Sequence, residues 1–103
     1  MTLLEMIIRE YISIVEILEI SVNVENDRII IERGDFRQIL EKYAYATFTQ
    51  KTKAYKDLNF IIHDNNNYTM PYKDKELGKT VRKVIINYKT YKTVAYLINT
   101  IAN

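Results

Sequence analysis

The chain of 103 residues contains no cysteine, one histidine, one proline and two glycines. Each shortage removes a class of chemistry. Without cysteine there is no disulfide frame and no thiolate metal site. His63 has no second histidine or cysteine with which to share a metal. Gly34 and Gly78 stand too far apart for a glycine-rich phosphate loop. The only serines, Ser13 and Ser21, lie near the N-terminal segment, and Asp57, Asp64, Asp74 and Glu76 form no paired-carboxylate pattern. The expectation is therefore a protein that is not an enzyme and uses no cofactor and no metal. No stretch approaches the ~18 uncharged apolar residues of a membrane span. Glu5, Arg9 and Glu10 interrupt the apolar run a signal peptide requires. A cytoplasmic protein without membrane contact is expected. So few chain breakers also predict long regular elements.

What is present is a division of charge. Residues 1–41 hold nine acids against four bases, and residues 42–103 hold eleven bases against four acids. A net charge of +2 conceals that asymmetry, which points to a polyanionic or acidic partner. Eight of the nine tyrosines lie in the basic part. Cations mixed with flat rings suit single-stranded nucleic acid, whose phosphates need charge and whose unstacked bases need a platform. With 48% apolar residues the chain can bury a modest core, as one domain spanning residues 1–103.

Apolar residues Leu4, Ile7, Ile8, Tyr11, Ile12, Ile14, Val15 and Leu18 predict an amphipathic helix over 3–20, with a stripe wide enough for a central core helix or a subunit contact. Asn26-Asp27 marks a turn, and Ile29-Ile30-Ile31 a short strand. Asp35 with Gln38 reads as a capping box for a helix carrying Phe36, Ile39, Leu40 and Tyr43 inward. Thr47 or Thr49 caps a helix over 50–58, with Ala54 and Leu58 inward. Asp64 to Asn67 is a turn cluster. Residues 68–73 form a strand that Pro71 confines to an edge. Residues 81–87 form another strand, and helical spacing returns over 90–102. The expected core is Ile8, Ile12, Val15, Ile30, Phe36, Ile39, Leu40, Leu58, Ile86, Val94 and Ile98. The fold class is α+β, in the order helix, strand, helix, helix, strand, strand, helix, with a small three-stranded antiparallel sheet and the last helix on the first.

That order resembles the winged helix-turn-helix domain. Ile29 to Phe36 is similar to its first strand entering the second helix. Lys51 to Ile61 looks like a recognition helix and its exit, with Asn59 where a glycine is usual. Tyr68 to Lys73 and Val81 to Ile86 look like the wing strands, and Asp74 to Lys79 the wing tip. The resemblance covers roughly residues 22–88, leaving 1–21 as an N-terminal helix and 89–103 as a C-terminal helix. The corner Tyr45-Ala46-Thr47-Phe48 departs from the pattern in lacking glycine. Similar small proteins occur in replication modules of Gram-positive mobile elements of the staphylococcal cassette type. The abundance of isoleucine, asparagine, lysine and tyrosine, all with A/T-rich codons, agrees with such a source.

The resemblance implies a nucleic-acid surface made by Lys51, Lys53, Tyr55 and Lys56 on the helix and Tyr72, Lys73, Lys79, Arg82 and Lys83 on the wing. Lysine is a point charge suited to phosphate, and the helix carries no arginine for bidentate base readout. Sequence-tolerant binding of single-stranded DNA, with Tyr55 or Tyr72 stacking on bases, fits better than a sequence-specific repressor. Two alternatives use the same features differently. The chain could serve a polymerase or helicase as an accessory subunit, or inhibit a host defence nuclease. A homodimer is a further possible partnership.

Overall fold

Thr2 starts the first helix. Its side-chain oxygen accepts the Glu5 backbone N–H at 3.1 Å, and α1 then runs over Leu3–Ser21 in this computed structural model, which describes residues 1–102. The buried stripe of α1 is Ile7, Tyr11, Ile14, Val15 and Leu18, with Glu10 enclosed among them. Ile8 and Ile12, expected in the core, sit half-buried on its flank. The apolar stripe is too wide for periodicity to set its phase. Glu10 sets it, because its carboxylate has partners only on the inside.

Asn26 and Asp27 both adopt positive φ, 53° and 59°, and close a turn in which Glu25 and Arg28 exchange backbone hydrogen bonds. The turn delivers β1 (Arg28–Ile31). Here alternation points Ile29 and Ile31 inward and Ile30 to the other face, the reverse of the expected phase. Helix α2 (Arg33–Glu41) begins earlier than the capping-box pattern predicts. Its N-cap is Glu32, without a side-chain cap bond, and Asp35 lies instead in the first turn, where its charge complements the helix dipole. Gly34 is helical. Phe36 and Leu40 are fully enclosed, Ile39 partly so, and Tyr43 is exposed rather than inward.

Thr47 caps α3 (Phe48–Asp57) with a full capping box. Gln50 N–H donates to Thr47 Oγ1 at 3.1 Å, and Thr47 N–H donates to Gln50 Oε1 at 2.9 Å. The chain leaves through Asn59 at φ 59°, the left-handed conformation expected there. Three strands follow: β2 (Ile61–Ile62), β3 (Met70–Asp74) and β4 (Lys79–Asn87). All pairing is antiparallel, and β4 is the shared partner. Its C-terminal half lies between β1 and β2, with Ile29 and Ile61 both opposite Ile86, and its N-terminal half forms a hairpin with β3. The sheet thus has four strands, not three. The extra strand, β2, is two residues long and too short to carry a period. Pro71 lies on β3, which pairs only with β4.

Ile29, Ile31, Ile61, Val84 and Ile86 present one face of the sheet to α1, α2 and α3. Between them Tyr11 stacks on Phe60, with ring centroids 3.9 Å apart, and its hydroxyl donates to the Asn87 carbonyl. Helix α4 (Tyr88–Ala102) follows β4 directly and lies along α1, with Tyr91 edge-on to Tyr11 and Tyr88 donating to Glu19 at 2.8 Å. Leu58 and Val94 pack against the core from its margin. Ile98, expected inside, is 40% exposed, because the second half of α4 has no element on its outer side.

Candidate nucleic-acid interface

The expected surface residues divide into three groups. Lys51 and Tyr55, four apart on α3, point inward. Lys51 is 1% exposed. Its ammonium donates to Glu10 Oε2 at 2.7 Å and to the Leu40 and Tyr43 carbonyls at 2.5 Å each, and it lies 4.1 Å over the Tyr45 ring. Glu10 Oε1 accepts from the Tyr45 and Tyr55 hydroxyls, both at 2.8 Å. Burial, reinforced by the Glu10 charge, pushes both of these hydroxyls far above the ordinary tyrosine range. Neither residue is open to a ligand, so Lys51 leaves the phosphate-binding set and Tyr55 the stacking set. Their work is structural. The carbonyls that end α2 need donors, and Lys51 serves one of them, Leu40, together with the Tyr43 carbonyl just past the helix, at a corner where glycine is missing.

The second group faces solvent on the opposite side of α3. Lys53 and Lys56 border a groove of about 450 Å³ whose other lining residues include Thr49, Thr52, Asn66 and Asn67, with Phe48 and Tyr68 also in its wall. Lys56 has no carboxylate partner among the described residues. Lys53 pairs with Asp57 at 2.9 Å, and that ammonium holds the Asp57 carboxyl below its usual range. Both side chains of this pair are mostly exposed. Such a pair is weakly held and exchanges readily for a phosphate. The Thr49 hydroxyl and the asparagine amides add donors beside the cations, whereas the Thr52 hydroxyl already donates to the Thr49 carbonyl at 3.1 Å. The Asn65-Asn66-Asn67 run was visible in the sequence as a turn, but its position against α3 depends on the sheet.

The hairpin carries the third group on two faces. Cross-strand partners Pro71–Arg82 and Lys73–Thr80 share the face that continues into Val84 and Ile86, the side packed by the helices. Arg82 spans from the hairpin to the turn bordering the groove: it donates to Thr69 Oγ1 and the Thr69 carbonyl, both at 2.8 Å, and to Asp64 at 2.7 Å. That contact holds the Asp64 carboxyl below its usual range. Arg82 is thus a bracket that fixes the turn to the hairpin. Tyr72, Lys79 and Lys83 belong to the opposite face. Lys83 is 14% exposed, joins Glu32 at 2.8 Å and Asp74 at 3.5 Å, and sits 5.3 Å from the Tyr72 ring centre. These three residues and the α3 lysines do not form one surface. Lys73, opposite Thr80, belongs to the helix-packed face of the hairpin, and Lys75 is exposed in the turn at its end.

That hairpin end is organised by Asp74. Its Oδ1 accepts the Leu77 and Glu76 backbone N–H groups at 3.0 and 2.9 Å, and Gly78 closes the turn at φ 65°. The Leu77 N–H, then the Glu76 N–H and Lys83, hold the Asp74 carboxyl below its usual value. A depressed carboxyl stabilises the fold above its unfolded pKa of about 4 and loses that contribution as pH falls through the lower folded value. The Glu76 and Leu77 amide signals are therefore expected to titrate together in an NMR series, with a midpoint below about 4. A midpoint at or above the ordinary aspartate value would contradict the turn.

No group of metal-ligating side chains occurs among the described residues. Comparison with protein-family models and with curated proteins finds no match for this chain.

Proposed function

We propose that the chain is a winged helix-turn-helix protein that binds nucleic acid in a sequence-tolerant manner, with single-stranded DNA as the preferred form, in the replication or transfer of a mobile element. In this reading α3 is the recognition helix and the β3–β4 hairpin the wing. The observation that carries the reading is the pair Lys53 and Lys56 at the edge of a groove lined with threonine and asparagine, on the helix whose other side is packed into the core. Lysines neutralise phosphates without reading bases. The exposed side of α3 offers no arginine and thus no bidentate guanine contact. Asn66 and Asn67 can donate to or accept from a base that is not paired, which favours a single strand over a duplex.

The test is fluorescence anisotropy with single- and double-stranded oligonucleotides over a range of salt. If two further cations of the basic half join Lys53 and Lys56 on single-strand phosphates, the log–log slope should be about −3, from ~0.7 per contact. Lys53→Ala with Lys56→Ala should reduce the slope to about half and weaken all sequences alike. Lys79→Ala and Tyr72→Ala, on the other hairpin face, should leave it unchanged. Absence of binding to either form at ~50 mM salt would sink the reading, since counterion release is then near its most favourable. The lysine side would in that case be a docking surface for an acidic protein.

A further inference from the structure

Helices α1 and α4 run antiparallel. Tyr88 meets Glu19 at one end, and Ile98 meets a groove with Glu5, Ile8, Arg9 and Ile12 at the other. At that second end the apolar side chains are open to solvent: Leu4 is 52% exposed, Leu97 50%, and Ile101 83%. Leu4, Ile8 and Ile12 continue the stripe at four-residue spacing along α1. The surface is distinct from the lysine side, and its chemistry is the opposite. From Thr93 to Asn103 no residue is charged, and the groove contains one acid, Glu5, and one base, Arg9.

We infer that the α1–α4 face is the interface of a two-fold homodimer. Two arguments select a second copy as the occupant. The face is apolar and net neutral, which excludes nucleic acid and gives a highly charged partner nothing to pair with. Its single acid and single base lie four residues apart, so a two-fold axis near Ile8 sets Glu5 of each copy within one helical turn of Arg9 of the other. The face therefore complements itself, as an isologous contact requires. The patch is small: about ten residues of each helix span about 15 Å, and two helices side by side are about 20 Å wide, so each copy offers on the order of 300 Å². The dimer is therefore weak and in exchange with monomer.

Sedimentation or light scattering from about 1 to about 100 µM tests this, since the population of a small interface follows protomer concentration. The mass is expected to rise toward twice 12.3 kDa across the range. Leu97→Lys with Ile101→Lys should hold it at the monomer value with an unchanged circular dichroism spectrum, because both side chains are already exposed. The charge pair supplies a sharper test. Glu5→Arg and Arg9→Glu proteins should each be monomeric alone, and their equimolar mixture should recover the dimer, each supplying the charge the other lacks. A wild-type protein that stays at 12.3 kDa, a dimer that persists in the Leu97→Lys, Ile101→Lys protein, or two charge variants that fail to associate on mixing would each overturn the inference. None of these results depends on nucleic-acid binding.

Discussion

Lys51→Ala is expected to cost about 3–5 kcal/mol of stability, because it removes one partner of a buried ion pair and leaves the other without compensation. The ammonium serves three acceptors. Glu10 keeps two tyrosine hydroxyls but loses its counter-charge, and the Leu40 and Tyr43 carbonyls lose their donor. A loss of that size is a large share of the ~5–15 kcal/mol by which a domain is stable. Urea unfolding of Lys51→Ala, Glu10→Ala and the double variant forms a cycle. The double variant should cost less than the sum of the singles by about 0.5–3 kcal/mol, the range for residues in one network. The same variant separates structure from binding. A surface phosphate contact would change the salt slope and leave the unfolding midpoint alone. A loss under ~1 kcal/mol, the scale of an exposed ion pair, would mean Lys51 is not enclosed as described.

Phe36→Ala is expected to cost a similar amount, about 3–5 kcal/mol, by opening a cavity the surroundings fill only in part. Phe36 is fully buried and lies against three rings from two places: Tyr55 at 6.0 Å and Phe48 at 6.5 Å on α3, and Tyr68 at 6.1 Å, between centroids. It joins α2 to α3 and to the segment before β3. Phe48 and Tyr68 also wall the groove between α3 and the asparagine turn. The cavity should therefore disturb that groove from beneath, with reduced protection of the Asn66–Tyr68 amides in hydrogen exchange at pH values where the protein is still folded. An unfolding midpoint close to wild type would show that α2 does not pack through this ring.

Much local backbone chemistry was legible in the sequence, and long-range charge pairing was not. Thr47, Asn59, the Asn26-Asp27 turn and Pro71 each act within a few residues, and each is where its chemistry requires, whereas the Asp35–Gln38 capping box does not form because α2 already begins at Arg33. The phase of α1 was ambiguous because apolar residues cover more than half its circumference. The inward direction of Lys51 is hidden for a related reason. Lys51, Tyr55 and Leu58 have helical spacing, but lysine is rarely enclosed without an acid, so spacing points Ala54 and Leu58 inward and leaves Lys51 outside. The missing acid was Glu10, the one carboxylate among the inward positions of α1 and 41 residues away. A charge inside an apolar stripe was the available signal. The outward direction of Lys53 and Lys56 followed from α3 spacing, whereas the division of the hairpin residues between two faces required the Pro71–Arg82 register.

The central place of β4 also governs when the molecule can assemble. Every strand pairs with it and none with another, so Arg28 must wait for Asn87 and Ile61 for Ile86. During synthesis β1 and β2 remain unpaired, and the sheet closes only when residues 79–87 arrive. Loops of this length must be closed before their contacts repay the entropy, so the rate is set by non-local pairing despite the helical content. Until then the isoleucine-rich edge of β1 is open to any other chain, and the nascent protein is most aggregation-prone before residues 79–87 have been made.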